Sequence, residues 1–108
     1  MDKFDYDQYY QYPALKNLLR MVTEAGEMGK RHKLCRFVHN LDRKIKYIQQ
    51  MKSGPEKGFF IHLTSEFYKN LVWNRMNWLT YLEKRHLQNF VTARIRNERK
   101  KQNPQLYG

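Results

Sequence analysis

Apolar residues recur at three- and four-residue spacing in the first half of the chain, which predicts two amphipathic helices. The first is expected over residues 13–26, because Pro13 suits the first turn of a helix and Gly26 suits its end. The second is expected over 30–52, where a Gly-Pro pair follows. Its apolar positions fall within about 100° of the helical wheel, the width of one buried stripe. They are Leu34, Phe37, Val38, Leu41, Ile45 and Ile48.

A third and longer helix is expected over 65–100, with Thr64 or Ser65 as its N-cap. This stretch has neither proline nor glycine to end it. Its apolar residues spread over about 200° of the wheel, which is twice the arc that one contact layer requires. We therefore expect cover on two sides, from the first two helices or from a second copy of the chain. The arc comprises Phe67, Tyr68, Leu71, Val72, Met76, Trp78, Leu79, Leu82, Leu87 and Phe90.

The apolar run at 59–63 is predicted to be a buried extended connection, because an isolated strand would leave its backbone groups unpaired. The Gly-Pro-Glu-Lys-Gly turn before this run, at 54–58, suggests another interpretation. Turn and run together resemble the wing of a winged-helix DNA-binding domain. That resemblance covers fewer than twenty residues, and the three compact helices that precede a wing are not evident in the pattern.

These elements predict a single all-α domain, since 108 residues rarely form two cores and 41% of them are hydrophobic. A Tyr-rich arm is expected at 1–12 and the helical domain at 13–93. Apolar periodicity is lost after Phe90, so residues 94–108 are expected to form a basic C-terminal tail.

Charge is distributed unevenly along this predicted domain. Residues 1–27 carry three basic and five acidic residues, a balance of −2. Residues 28–108 carry 18 basic and five acidic residues, a balance of +13, and the two parts sum to the net charge of +11. An excess of this size favours polyanionic partners, and nucleic acid is the leading candidate.

The polar side of the second helix is the first candidate interface. Between Lys30 and Lys52 the chain has eight lysines and arginines but one acidic residue, Asp42. A helix that is merely solvated usually mixes both signs of charge. The candidate binding residues are Lys33, Arg36, His39, Arg43, Lys44 and Lys46. Arg36, Arg43 and Lys46 are predicted to contact phosphates, and His39, Asn40 and Tyr47 to meet bases or sugars. A solvated face remains the alternative.

The C-terminal run is the second candidate interface. As a basic arm it would follow a nucleic-acid backbone and add salt-dependent affinity without sequence preference. A solubilising tail is the alternative. Its candidate residues are Arg94, Arg96, Arg99, Lys100 and Lys101.

Aromatic rings would support binding of a single strand, because bases stack on them. Trp73 and Tyr81 lie off the apolar arc of the third helix and are the candidates for such stacking. Phe67 and Trp78 lie within the arc and are assigned to the core.

Other residues that carry chemistry receive structural interpretations. The triplet His32, Cys35 and His39 lacks the fourth ligand of a structural zinc site. His62 and His86 are expected to be interior or edge histidines. Two charged residues inside the apolar arc, Arg75 and Glu83, must be paired, exposed at the edge of the arc, or placed at an interface.

No catalytic motif is recognised, so an enzyme is not expected, and neither a cofactor nor a small-molecule substrate is implied. The predicted function is binding of nucleic acid, with DNA favoured over RNA and duplex DNA favoured overall, by a homodimer joined through the third helix. An RNA-binding or ribosome-associated protein is one alternative. An interaction module or inhibitor that docks on an acidic partner is another, and a membrane-surface role is weaker.

An intracellular location, in the cytoplasm or in the nucleoid or nucleus, is expected on two grounds. The single cysteine, Cys35, fits a reducing compartment. The acidic start of the chain does not resemble a secretory signal, and no apolar run is long enough to span a membrane.

Overall fold

The computed structural model describes residues 12–102, and this part of the chain folds into four α-helices. They are α1 (Pro13–Glu24), α2 (Met28–Gln49), α3 (Pro55–Arg75) and α4 (Tyr81–Gln102). Neighbouring helices pack in the cyclic order α1, α2, α3, α4, and α2 also contacts α4 across the bundle; the contact between α3 and α4 is the most extensive. The prediction of an all-α fold is therefore confirmed. Residues 1–11 of the predicted arm (1–12) and residues 103–108 of the predicted tail (94–108) lie outside the described residues.

The first two helices follow the predicted pattern closely. All six apolar positions of the α2 stripe are buried, as are Leu15, Leu18, Leu19 and Val22 of α1. Gly26 has a φ of 75° and ends α1, because a residue without a Cβ adopts this left-handed conformation at little cost. The Gly26 N–H donates to the Thr23 carbonyl, and the Glu27 N–H donates to the Val22 carbonyl. This pair of hydrogen bonds is the Schellman arrangement that closes a helix.

The predicted helix 65–100 is wrong, because the chain forms two helices in that region. Met76 leaves the helical conformation with φ −97° and ψ 62°, and α4 begins at Tyr81. Thr80 and Glu83 form a capping box: the Glu83 N–H donates to Thr80 Oγ1 at 3.2 Å, and the Thr80 N–H donates to Glu83 Oε1 at 2.8 Å. These bonds satisfy backbone donors at a new helix start, so the break requires neither proline nor glycine.

The predicted extended segment at 59–63 is also wrong, because it lies within α3. Pro55 occupies the first turn of this helix and starts it rather than only ending α2. Of the five residues in the segment only Ile61 is buried. In a helix, a run of consecutive apolar residues cannot all face one side, so the rest of the run is partly or fully exposed. The described residues contain no strand, so the likeness to a winged-helix wing does not hold.

Most of the wide apolar arc of the predicted third helix is covered within one chain, whereas Phe67 and Leu82 are 60% and 54% exposed. Val72 of α3, Met76 and Leu79 of the connection, and Leu87 and Phe90 of α4 all join the same core as α1 and α2. Their directions differ because they belong to two helices. The argument for a second copy that rested on the width of this arc is therefore weaker.

Candidate nucleic-acid interface

The polar side of α2 is a solvent-exposed basic surface. All six residues predicted on it, Lys33, Arg36, His39, Arg43, Lys44 and Lys46, are exposed, while the opposite side of the helix is fully committed to the core. We call the exposed side, defined by these six residues, the α2 basic face. From the first lysine to the last it extends about 20 Å at 1.5 Å per residue.

The positive charge of this face is not neutralised inside the domain. Across residues 12–102, no ion pair involves any of its five lysines and arginines. The carboxylate of α2 itself, Asp42, is directed to Arg94 of α4 at 3.3 Å. Lys30, at the start of α2, is bound to Glu83 at 3.1 Å. Lys30 and Asp42 of α2 thus form ion pairs with α4, and the α2 basic face presents only positive charge to solvent.

Arg94 does not belong to a flexible basic arm. Its guanidinium bonds Asp42 at 3.3 Å and Glu98 at 2.9 Å, and the side chain of Glu98 is only 3% exposed. Burial alone would lower the pKa of Arg94, but the hydrogen bond to Glu98 and the neighbouring negative charges outweigh it and raise that pKa. The prediction that Arg94 contacts phosphate is therefore corrected, because this side chain joins α4 to α2.

The rest of the predicted basic run, up to residue 102, is also helical. Ile95 and Glu98 are buried, so the core extends past Phe90 and the expected loss of pattern there is wrong. Lys101 bonds Glu98 at 3.4 Å, and Arg99 is half-buried. The cations of this run that project freely are Arg96 and Lys100, both exposed on the side of α4 opposite its buried residues.

Two lysines of the α2 basic face contact aromatic rings. The Lys44 ammonium lies 6.0 Å from the centroid of Tyr47 and 5.6 Å from that of Phe60, and these two rings are 5.6 Å apart. The Lys33 ammonium lies 5.1 Å from the Trp78 ring. Cation–π contacts of this length hold Lys44 against α3 and Lys33 against the connection between α3 and α4.

Several exposed aromatic side chains were not found by sequence reasoning. Phe67 was assigned to the core, yet it is 60% exposed, and Phe59 is 63% exposed. The wheel of a helix thought to begin at residue 65 placed Phe67 among core residues. The true start of α3, ten residues earlier, was available in the sequence through Pro55.

Trp73 and Tyr81, the predicted stacking pair, meet where α3 turns into α4. Their ring centroids are 5.5 Å apart, and the Tyr81 side chain is exposed. The Trp73 indole N–H donates to Gln88, and Lys84 donates to the Trp73 carbonyl at 3.2 Å. Trp73 is thus held by contacts to α4, and Tyr81 is the more accessible of the two rings.

The remaining candidates take structural places. His62 is exposed, which corrects its interior assignment, and His86 is half-buried. Arg75 is exposed at the end of α3, and Glu83 is buried and paired with Lys30, as a charge within the apolar arc must be. Burial would raise the pKa of Glu83, but the hydrogen bonds from Thr80 and Lys30 outweigh this effect and lower it. The hydrogen bond to Glu83 raises the pKa of Lys30.

Within the described chain, no group of three or more His, Cys, Asp or Glu side chains is arranged to hold a metal ion. Cys35 is half-buried, and the two histidines that flank it in the sequence, His32 and His39, are exposed. None of the helices in the described region has an apolar stretch long enough to cross a lipid bilayer.

Neither family models nor curated proteins nor solved structures match this chain.

Proposed function

We propose that this protein binds nucleic acid through the α2 basic face. One observation supports the proposal above all others: five exposed lysines and arginines on one side of a single helix, without an ion pair to any other described residue. An exposed array of one sign along about 20 Å of rigid helix suits a linear polyanion, whose phosphates repeat along one direction.

The rigidity of the helix supports the same function. Its six buried apolar residues, together with the Asp42–Arg94 and Lys30–Glu83 ion pairs, fix α2 relative to the rest of the domain. The arginines and lysines of the face are therefore presented at constant spacing, which lowers the entropic cost of binding. Arg96 and Lys100 of α4 form a second, smaller basic surface that would add sequence-independent affinity.

Duplex DNA was the favoured ligand on the sequence pattern, but phosphate contact by α2 is equally compatible with a single strand. The homodimer stays a prediction, and its main argument is weaker because most of the apolar arc is covered within the monomer. A protein partner with an acidic surface is the competing function, and the experiment below distinguishes it.

The test measures the affinity of wild type and of two matched variants for duplex and single-stranded nucleic acid. The salt dependence of that affinity is followed between about 50 and 200 mM salt. The first variant is Arg36→Gln, Arg43→Gln, Lys46→Gln on the α2 basic face. The control is Arg20→Gln, Arg75→Gln, Arg85→Gln, which removes the same charge from exposed positions on α1, α3 and α4.

We expect the first variant to lower the magnitude of the log–log salt slope by about 2 to 3, since each lost phosphate contact accounts for about 0.7 to 0.9. The control should change the slope by less than about 1. Equal losses in both variants would show that net charge alone matters and that α2 is not the interface. Weak binding of duplex and single strand alike at low salt would favour the acidic protein partner instead.

A further inference from the structure

A row of apolar side chains on α3 is left in solvent. Phe59, Leu63 and Phe67 are 63%, 47% and 60% exposed. Their four-residue spacing places them in one line, about 6 Å apart along the helix axis. We call these three residues the α3 apolar row. The opposite side of α3 packs into the core through residues that include Ile61, Tyr68 and Val72. The row is thus an outward-facing feature of a well-anchored helix.

This row lies beside the α2 basic face. The ring of Tyr47 contacts that of Phe60, and the ring of Phe37 contacts that of Tyr68, so α2 and α3 run antiparallel. In this antiparallel register Arg43 and Leu63 stand at about the same height along the two helix axes, as do Tyr47 and Phe59. The Lys44 ammonium and the exposed Tyr47 ring of α2 both lie against Phe60 of α3, so the cations of α2 border α3 at this point. The α2 basic face, this contact and the α3 apolar row together make up one surface, which is cationic on α2 and aromatic toward α3.

We infer that this surface binds unpaired nucleic acid, with phosphates on the α2 cations and bases on the rings of Phe59, Phe67 and Tyr47. The inference rests on the proposed function and specifies its ligand class. A single strand presents anionic phosphates on one side and flat apolar bases on the other, which matches the two halves of the surface. A duplex keeps its bases stacked inside, so it would meet the cations but leave the α3 apolar row unused.

The row fits a second copy of the chain less well. If two α3 rows docked on each other, the adjacent α2 basic faces would be brought together, and like charges at short range repel. The carboxylates of α3 do not block the strand. Glu66 pairs with Lys69 at 3.8 Å, and Glu56 lies near the start of the helix, beyond Phe59. Glu66 stands between Leu63 and Phe67 in the sequence, and its ion pair with Lys69 reduces its repulsion of a phosphate.

The experiment compares three fluorescent probes of equal length by anisotropy: twelve-nucleotide oligothymidylate, a twelve-unit phosphodiester chain without bases, and a twelve-base-pair duplex. The variant is Phe59→Ala, Phe67→Ala, whose sites are exposed, so folding should survive; circular dichroism checks this. Tyr81→Ala is the matched control, because it removes an exposed ring from α4, outside this surface.

Wild type should bind oligothymidylate about tenfold more tightly than the base-free chain or the duplex. The double variant should lose up to about tenfold in affinity for oligothymidylate and nothing for the base-free chain, with an unchanged salt slope, because only stacking is removed. Tyr81→Ala should bind like wild type.

Three results would overturn the inference. Equal affinity for oligothymidylate and the base-free chain would leave phosphate binding by α2 intact but remove the role of the row. Wild-type dimers that become monomers in the double variant, with unchanged nucleic-acid affinity, would assign the row to a second copy. If the double variant loses affinity for vesicles of about 30% anionic lipid but keeps wild-type affinity for all three probes, the row belongs to a membrane surface. Failure to bind all three probes would refute the proposed function itself.

Discussion

At the scale of single residues, a lysine or arginine of this chain either forms an ion pair that joins two helices or faces solvent, and the residues around it determine which. Arg94 is enclosed by Asp42 and Glu98, whereas Arg36 and Arg43 face solvent without a described ion-pair partner. Both kinds occur in stretches of sequence with the same basic character. Sequence reasoning identified the α2 cations correctly as exposed because the apolar stripe opposite them is regular. It misassigned Arg94 because the burial of Glu98, its partner four residues on, was not expected, and because its other partner, Asp42, is 52 residues away.

Arg94→Ala is expected to destabilise the fold by about 2 kcal/mol. Removing one partner of a buried ion pair leaves the other charge uncompensated, and Gln49 and Lys101 offset part of that cost by their bonds to Glu98. Urea unfolding measures the effect. The affinity for nucleic acid at constant salt should stay within about twofold of wild type. Unchanged stability with a clear loss of affinity would return Arg94 to the interface.

At the scale of elements, the connection between α3 and α4 carries a local sequence signal that is sufficient to predict the start of α4. The Thr-x-x-Glu pattern at 80–83 is a capping box that marks a helix start in the sequence itself. A helix break of this kind contains neither glycine nor proline, so those two residues do not mark it. Thr64 and Ser65, taken as the N-cap, are buried inside α3, where the Thr64 hydroxyl donates to the Phe60 carbonyl at 2.8 Å. A cap residue indicates a start only when its hydroxyl accepts from the following turn.

Glu83→Ala is expected to cost about 1 to 3 kcal/mol at pH 7, because it removes half of the capping box and the partner of Lys30. The pKa of Glu83 is lowered in the fold, so the unfolded chain binds more protons near pH 4. Its contribution is therefore complete above the unfolded pKa and is lost as the pH falls through the folded pKa.

Thermal unfolding of wild type and Glu83→Ala from pH 7 to pH 3 measures this dependence. The difference in stability between the two proteins should be largest near neutral pH and should shrink below about pH 4.5. A difference that is constant across this range would show that the carboxylate charge contributes nothing. It would then leave packing of the side chain as the sole cause of the loss.

At the scale of the whole molecule, the four helices bury one shared apolar core and leave most of their cations in solvent. The core draws on every helix, and the α2 basic face and the α3 apolar row lie on two antiparallel neighbours that meet where Lys44 and Tyr47 contact Phe60. The sequence allowed the first half of this surface to be predicted, since an amphipathic helix shows its exposed side directly. The second half depended on where α3 begins, and misplacing that start by ten residues turned exposed rings into predicted core.

The most direct test of nucleic-acid binding by α2 maps the contact residue by residue. Backbone amide chemical shifts are followed by NMR while oligothymidylate is titrated at about 50 mM salt. The account predicts that the largest shifts cluster on the exposed side of α2, around Arg36 and Arg43, and continue to Phe59 and Phe67 of α3, with α1 unaffected. Shifts confined to α1 or to the end of α4, or shifts absent at saturating oligonucleotide, would contradict it.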